Sequence, residues 1–211
     1  MKSRLSDLQH RILEILARGA PGWSLSGGAA LAGFYLGHRS TDDLDLFYHG
    51  QRSLTHEPRL VEDVLVEAGL DVRVLVRSPG FVRLLARDAS AQVVVDLVAE
   101  PVPVVEAPME LQPGLRIDAA ADILVNKLCA LVSRSELRDL EDVRALVASG
   151  LDLDRALDQA PSKDGGFSPM TLAWLLPQLD LARAAELGLD PVRLESFRER
   201  LLAKLDGGGS R

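Results

Sequence analysis

Cysteine is almost missing from this chain: Cys129 is the single one in 211 residues. An internal disulfide is therefore excluded, and without a CxxC pair or a Cys/His cluster structural zinc has nothing to hold it. Aromatic residues make up only 4%, so Leu, Val and Ala must build any core. No apolar run reaches the roughly 18 residues that a membrane helix needs. The opening MKSRLSDLQHRILEIL has the spacing of an amphipathic helix and lacks the apolar block of a signal peptide. A basic excess is lacking too: 24 Lys and Arg stand against 31 Asp and Glu, for a net charge of −7. That argues against a generalist nucleic-acid binder, although it leaves room for a local basic patch. Lysine is scarce, with positions 2, 127, 163 and 204 its only occurrences, so Lys127 is isolated in a long arginine-using interior. The expectation is a soluble, cytoplasmic, bacterial protein with no membrane partner.

What is present suits a globular chain. Residues are 47% hydrophobic and 26% charged, which rules out wholesale disorder. The first half alternates helical and extended patterns. Helices read over 6–18, 29–36 and 58–68, and extended runs over 23–25, 44–48, 72–76, 81–86 and 93–98. Residues 100–114 hold four prolines, which no helix or central strand tolerates. Beyond them the pattern is almost purely helical, over 119–132, 136–147, 152–159, 169–176 and 191–205. The expected fold class is α+β: a mixed sheet flanked by helices, followed by a C-terminal helical bundle. The boundaries are 1–115 for the α/β domain, 116–206 for the helical domain and 207–211 for a flexible tail.

The chemistry concentrates in Leu25-Ser26-Gly27-Gly28-Ala29-Ala30-Leu31 and the stretch Gly37-His38-Arg39-Ser40-Thr41-Asp42-Asp43-Leu44-Asp45-Leu46-Phe47. Two glycines at a strand-to-helix junction let backbone N–H groups approach a phosphate. In an extended chain Asp43 and Asp45 point to one face while Leu44 and Leu46 anchor the other. Two carboxylates so close call for a cation, and Mg²⁺ with triphosphate oxygens suits them. Asp96, alone in the apolar run Val93–Val98, needs a partner in the same way. Blander readings stand beside these. A Gly-Gly pair is most often a turn, Asp42-Asp43-x-Asp45 also suits a solvated strand end, and Asp96 also suits an ion pair with an arginine.

Together these residues resemble the nucleotidyltransferase superfamily, with its DNA polymerase β-like fold, whose pattern is Gly-Gly or Gly-Ser, a helix, then Asp-x-Asp on the next strand. LSGGAALAGFYLGHRSTDDLDLF more narrowly resembles the AbiEii/AbiGii-type nucleotidyltransferase toxins. The later block Ile123-Leu124-Val125-Asn126-Lys127-Leu128-Cys129-Ala130-Leu131, then Arg134 and Arg138-Asp139-Leu140-Glu141-Asp142, is similar to that family's helical motif. The resemblance spans about 25–146. It implies transfer of a nucleoside monophosphate from an NTP to an acceptor hydroxyl, with RNA (a tRNA 3′ end) as acceptor and an antitoxin protein as partner. It also implies two Mg²⁺ ions, or Mn²⁺ in their place, on Asp43, Asp45 and Asp96. Ser26, Gly27, Gly28, Arg39 and Thr41 would take the nucleotide. Transfer to a small molecule or a protein hydroxyl is the alternative enzyme, and a catalytically dead nucleotide-binding or partner-binding module the alternative outside enzymes.

Helical spacing puts Ile123, Lys127, Leu131 and Arg134 on one stripe. Lys127 there is either a lysine laying its stem over the core or a point charge for a nucleotide phosphate. Arg138 and Asp142, four residues apart, suit a surface ion pair or an acceptor site, and Asp139 could orient Lys127 or an acceptor hydroxyl. Cys129 reads as a small core residue. Arg183, Arg193, Arg198 and Arg200 read as a solvated helix face, with an acceptor surface as the alternative. The dispersed His10, His49 and His56 suggest no metal cluster.

Overall fold

The computed structural model describes residues 3–207. The expected tail, apart from Gly207, lies outside the described residues, and Gly207 itself closes the last helix. The chain divides into two compact units, Met1–Ala119 and Ala120–Arg211.

The first unit opens with α1 (Asp7–Gly19). Ser6 caps it reciprocally with Gln9, satisfying two backbone N–H groups that a helix start otherwise leaves orphaned. Then come β1 (Ser24–Ser26), α2 (Gly27–Ala30), β2 (Asp43–His49) and α3 (Glu57–Glu67). The meander β3 (Asp71–Ser78), β4 (Phe81–Arg87) and β5 (Gln92–Glu100) follows, then β6 (Met109–Gln112) and β7 (Leu115–Ile117). The seven strands form one mixed sheet in the order β3-β4-β5-β2-β1-β7-β6. β2 runs parallel to β5 and β1 parallel to β7, while the other neighbours are antiparallel.

Strict alternation in β2 buries Leu44, Leu46 and Tyr48 on one face. That face continues through Leu25, Val95, Leu97 and Ile117, and α1 and α3 supply Ile12, Leu13, Leu16, Val61 and Leu65 to the same core. A one-residue slip of β2 would bring its carboxylates to the core, so the leucines fix where Asp43 and Asp45 point.

Two expectations for the first unit need correction. The helix expected over 29–36 is α-helical only to Ala30. From Leu31 to Tyr35 it widens into a π-turn, with the Leu36 N–H donating to the Leu31 carbonyl at 2.8 Å. The proline-rich segment holds, as expected, no helix or central strand among the described residues; its strand β6 lies at the sheet edge between Pro108 and Pro113. Its partner β7 crosses the expected boundary at 115, because Ile117 pairs with Leu25 in the same sheet.

The second unit is helical: α4 (Ala120–Ser133), α5 (Leu137–Ala148), α6 (Leu153–Lys163), α7 (Pro169–Leu175) and α8 (Pro191–Gly207), with short 3-10 turns between 176 and 187. Against the expected stop at 159, α6 continues through Pro161 to Lys163. Proline is tolerated there because it removes one hydrogen bond from the last turn only. Among the described residues no helix is long and apolar enough to cross a membrane.

Candidate active site

The strand register lines up a row of side chains across the polar face of the sheet. Arg83 on β4 pairs in register with Asp96 on β5, Asp96 with Asp45 on β2, and Asp45 with Ser26 on β1. Register partners share a face, so cation, carboxylate, carboxylate and hydroxyl stand on four adjacent strands. Asp43, two residues before Asp45, occupies the same face one step along, half-buried like Asp45.

The loop before β2 is anchored from α1. The buried Gln9 side-chain amide donates to the Thr41 carbonyl at 3.1 Å and to the Asp43 carbonyl at 3.4 Å. The Thr41 hydroxyl donates to Asp43 Oδ1 at 2.5 Å, fixing that carboxylate's rotamer. Beside it the two glycines come closer than any other residue could. Gly27 has φ +59, and a Cβ there would stand 2.1 Å from Asp45 Oδ2. A Cβ on Gly28 would stand 2.9 Å from Arg39 Nη2 and 3.1 Å from Thr41 Oγ1. The structure thus brings Ser26, Gly27, Gly28, Arg39, Thr41, Asp43, Asp45 and Asp96 together in the first unit. Ser26 is buried and its side chain does not cap α2.

Asp96 has the partner its position demanded, and it is an arginine. Arg83 Nε and Nη2 donate to Oδ1 and Oδ2 at 2.8 and 2.7 Å, a bidentate pair on a buried carboxylate. The hydrogen bond to Asp96 raises the Arg83 pKa above its ordinary value against the opposing effect of burial, and the charges of Asp96, Asp43 and Asp45 add to the rise. The Arg83 guanidinium also lies 5.6 Å from the Phe81 ring centroid, within cation–π range. Sequence reasoning missed Arg83. Its signal was present, since a lone basic residue in FVRLLA faces a lone acid in VVVDLV across a short hairpin.

A divalent cation fits Asp43 and Asp45, which share a face beside a glycine with no room for a side chain. At Asp96 a cation would share the carboxylate with Arg83, which hydrogen-bonds both of its oxygens. Among the described residues, no group of three or more His, Cys, Asp and Glu is arranged to hold a metal ion.

A second cluster on the sheet was also missed. Ser24 Oγ donates to Asp118 Oδ1 at 2.5 Å, and His49 Nε2 lies 2.7 Å from the same oxygen. Ser24 and Asp118 are buried. The acid just after β7 thereby ties the ends of β1 and β2 together.

In the second unit Lys127 is not a surface-reaching lysine. Its ammonium is buried and lies 2.8 Å from both Asp139 Oδ1 and Asp142 Oδ2. Burial works to lower the Lys127 pKa, but the Asp142 and Asp139 charges outweigh it and leave it above the ordinary lysine value. Burial would raise the Asp139 pKa. The Arg134 hydrogen bonds, at 2.7 and 2.8 Å, and Lys127 overcome that and hold it below the usual carboxylate value. Asp142 is fully buried rather than on the surface, and Arg138 is half-buried. Lys163 repeats the arrangement with Asp122, Nζ to Oδ1 at 3.1 Å and both side chains buried. Cys129 is half-buried, its thiol 3.6 Å from the Ala160 carbonyl. Arg183, Arg193 and Arg198 meet Glu186, Asp190 and Glu195 three residues away, and Arg200 lies over Phe197.

The profile of the AbiEii nucleotidyl transferase toxin of type IV toxin–antitoxin systems matches residues 11–207. The chain belongs to this family. It is a nucleotidyltransferase by family, and solved structures agree in fold. A candidate nucleotidyltransferase from H. pylori aligns with a TM-score of 0.59 at 21% identity, covering 98% of this chain and 100% of that one. JHP933 from Helicobacter pylori aligns at 0.58 and 22%, covering 95% and 91%. The antibiotic-resistance factor ANT(2'')-Ia, solved in solution, aligns at 0.51 and 16%, covering 74% and 88%. No curated protein matches the chain significantly.

Proposed function

We propose that this AbiEii-family chain moves a nucleoside monophosphate from an NTP to an acceptor hydroxyl, and that the acceptor is RNA, at a tRNA 3′ end. The observation that carries the transfer reaction is the placement of Asp43 and Asp45 on one sheet face, with Asp45 directly against Gly27 and the Asp43 partner Thr41 against Gly28. A divalent ion, Mg²⁺ or Mn²⁺, held by Asp43 and Asp45 would supply Lewis-acid neutralisation of triphosphate charge. The backbone N–H groups at Gly27 and Gly28 approach phosphate oxygens where a side chain would block them. Arg39 and Thr41, packed against Gly28, hold the same phosphates. Thr41 also orients Asp43, and Gln9 holds Thr41. The acceptor oxygen bonds to the α-phosphorus as the bond to pyrophosphate breaks, and the hydroxyl proton passes to a base. Asp96, in register beside Asp45, would complete the metal site and accept that proton. Within the second unit Lys127, Asp139 and Asp142 form one ion-paired group that also holds Arg134. The type IV toxin–antitoxin description of the family supports an antitoxin protein as the partner that restrains the activity.

The test is incubation with each α-labelled NTP, Mg²⁺ and a bacterial extract separated into RNA, protein and small molecules, beside Asp43→Asn. Label in tRNA-sized RNA, lost in the variant, supports the whole reading. Label in protein or a small molecule retains the transfer chemistry and replaces the acceptor. No label in any fraction with any NTP refutes the reaction.

A further inference from the structure

Asp96 sits in the row between two neighbours of opposite effect. On one side is the Asp45 carboxylate, in register on β2. On the other is Arg83, in register on β4, filling both Asp96 oxygens. A buried carboxylate next to another acid needs a positive charge, and the fold supplies one from its own backbone neighbour. A divalent ion and the guanidinium compete for this one carboxylate: each oxygen keeps a further lone pair, but two cations on one buried acid repel each other.

We infer that Arg83 is a built-in counter-cation that holds Asp96 in the absence of metal and competes with a metal ion for it. Arg83 is thus a positioning residue that sets the metal affinity of the centre. The inference rests on the proposed metal-binding role of Asp43 and Asp45.

Two features make the exchange physically workable. The Arg83 side chain is 43% exposed whereas that of Asp96 is 5% exposed, so the arginine has solvent to move into and the aspartate does not. The Phe81 ring, already 5.6 Å from the guanidinium, offers the released cation a second resting place. The device keeps the acidic row neutralised when nucleotide and metal are scarce, and it makes full metal loading depend on the added binding energy of a nucleotide.

Mn²⁺ binding to the full chain, read by the loss of the free-ion paramagnetic resonance signal, tests this without any activity measurement. Wild type, Arg83→Gln, Asp96→Asn, the double variant and Asp45→Asn are titrated without nucleotide and again with NTP present. Arg83→Gln is expected to tighten Mn²⁺ binding roughly tenfold or more, because it removes charge-assisted hydrogen bonds to a buried carboxylate. In the Asp96→Asn background the same substitution is expected to change affinity less than about threefold, since the contested oxygens are gone. Arg83→Lys, which keeps a charge but not the bidentate fork, is expected to fall between wild type and Arg83→Gln and guards against a folding defect in the glutamine variant. Mn²⁺ should also raise the melting temperature of Arg83→Gln more than that of wild type.

Unchanged or weaker affinity in Arg83→Gln, with binding still abolished by Asp45→Asn, overturns the inference and leaves the metal pair standing. An equal gain in both backgrounds also overturns it, reducing Arg83 to a general positive charge. No Mn²⁺ bound by any variant, with or without NTP, overturns both the inference and the metal-binding reading.

Discussion

Replacing Lys127 with methionine keeps the length and the apolar stem of the side chain and deletes only its charge. In the folded chain that charge meets Asp139 and Asp142 at 2.8 Å each, and both carboxylates are fully buried. Asp139 keeps the two hydrogen bonds from Arg134, whereas Asp142 loses its ammonium. Removing one partner of a buried ion pair costs about 3–5 kcal/mol. At roughly 2–4 °C per kcal/mol for a chain of this size, the melting temperature should fall by about 6–20 °C. Lys204→Met is the matched control, because Lys204 and its partner Asp154 are both exposed and should contribute less than about 1 kcal/mol. The pH dependence has a fixed sign. Lys127 has a raised value in the fold, so its contribution is complete below the ordinary lysine pKa and is lost only as pH climbs past the higher folded value. Asp139 has a lowered value, so its contribution is complete above the ordinary carboxylate pKa and is lost as pH falls through the lower folded value. The gap between wild type and Lys127→Met should therefore hold steady from about pH 5 to 9 and narrow below about pH 4. Melting of both variants by circular dichroism across that range is the assay. A Lys127→Met melting temperature within about 1 °C of wild type, with transfer activity lost, would refute the buried network and return the lysine to the phosphate.

Gly27→Ala places a methyl group against the Asp45 carboxylate at a backbone conformation that costs about 1–3 kcal/mol for a side chain. NTP and Mn²⁺ binding should fall together by calorimetry, and normal binding would contradict the close approach. Asp118→Ala removes the acceptor shared by Ser24 and His49. It should lower stability by about 1–3 kcal/mol in a urea titration; a neutral result would mean that the cluster holds nothing in place. Gln9→Ala should weaken NTP binding far more than its loss of capping alone predicts, because Gln9 also holds the Thr41 and Asp43 carbonyls. A purely thermal effect with normal binding would separate the two roles.

The parts of this fold legible in the sequence were those carried by short-range patterns. Alternation in DLDLFYH fixed which face carries Asp43 and Asp45, because leucines on the other face have only the core to go to. The glycine pair announced a close approach, and the approach is to Asp45 itself. What stayed hidden depended on partners far apart in the chain. Asp96 openly lacked a counter-charge, but only the β4–β5 register reveals that Arg83 supplies it. Lys127 stood out as an isolated lysine, yet its surroundings are set by α5 folding back so that Asp139 and Asp142 enclose it. The edge strand β6 was masked by flanking prolines, which forbid a central strand and permit an outer one. His49, Ser24 and Asp118 sit far apart in sequence and meet only because β1 lies between β2 and β7.

The central claim is that Asp43 and Asp45 carry nucleotidyl transfer, and pyrophosphate release tests it whatever the acceptor is. Wild type and Asp45→Asn, matched for melting temperature, are each given the four NTPs, Mg²⁺ and bacterial extract. The account predicts pyrophosphate from at least one NTP with wild type and a loss of at least about 100-fold in Asp45→Asn. Equal pyrophosphate release by the two proteins would contradict it.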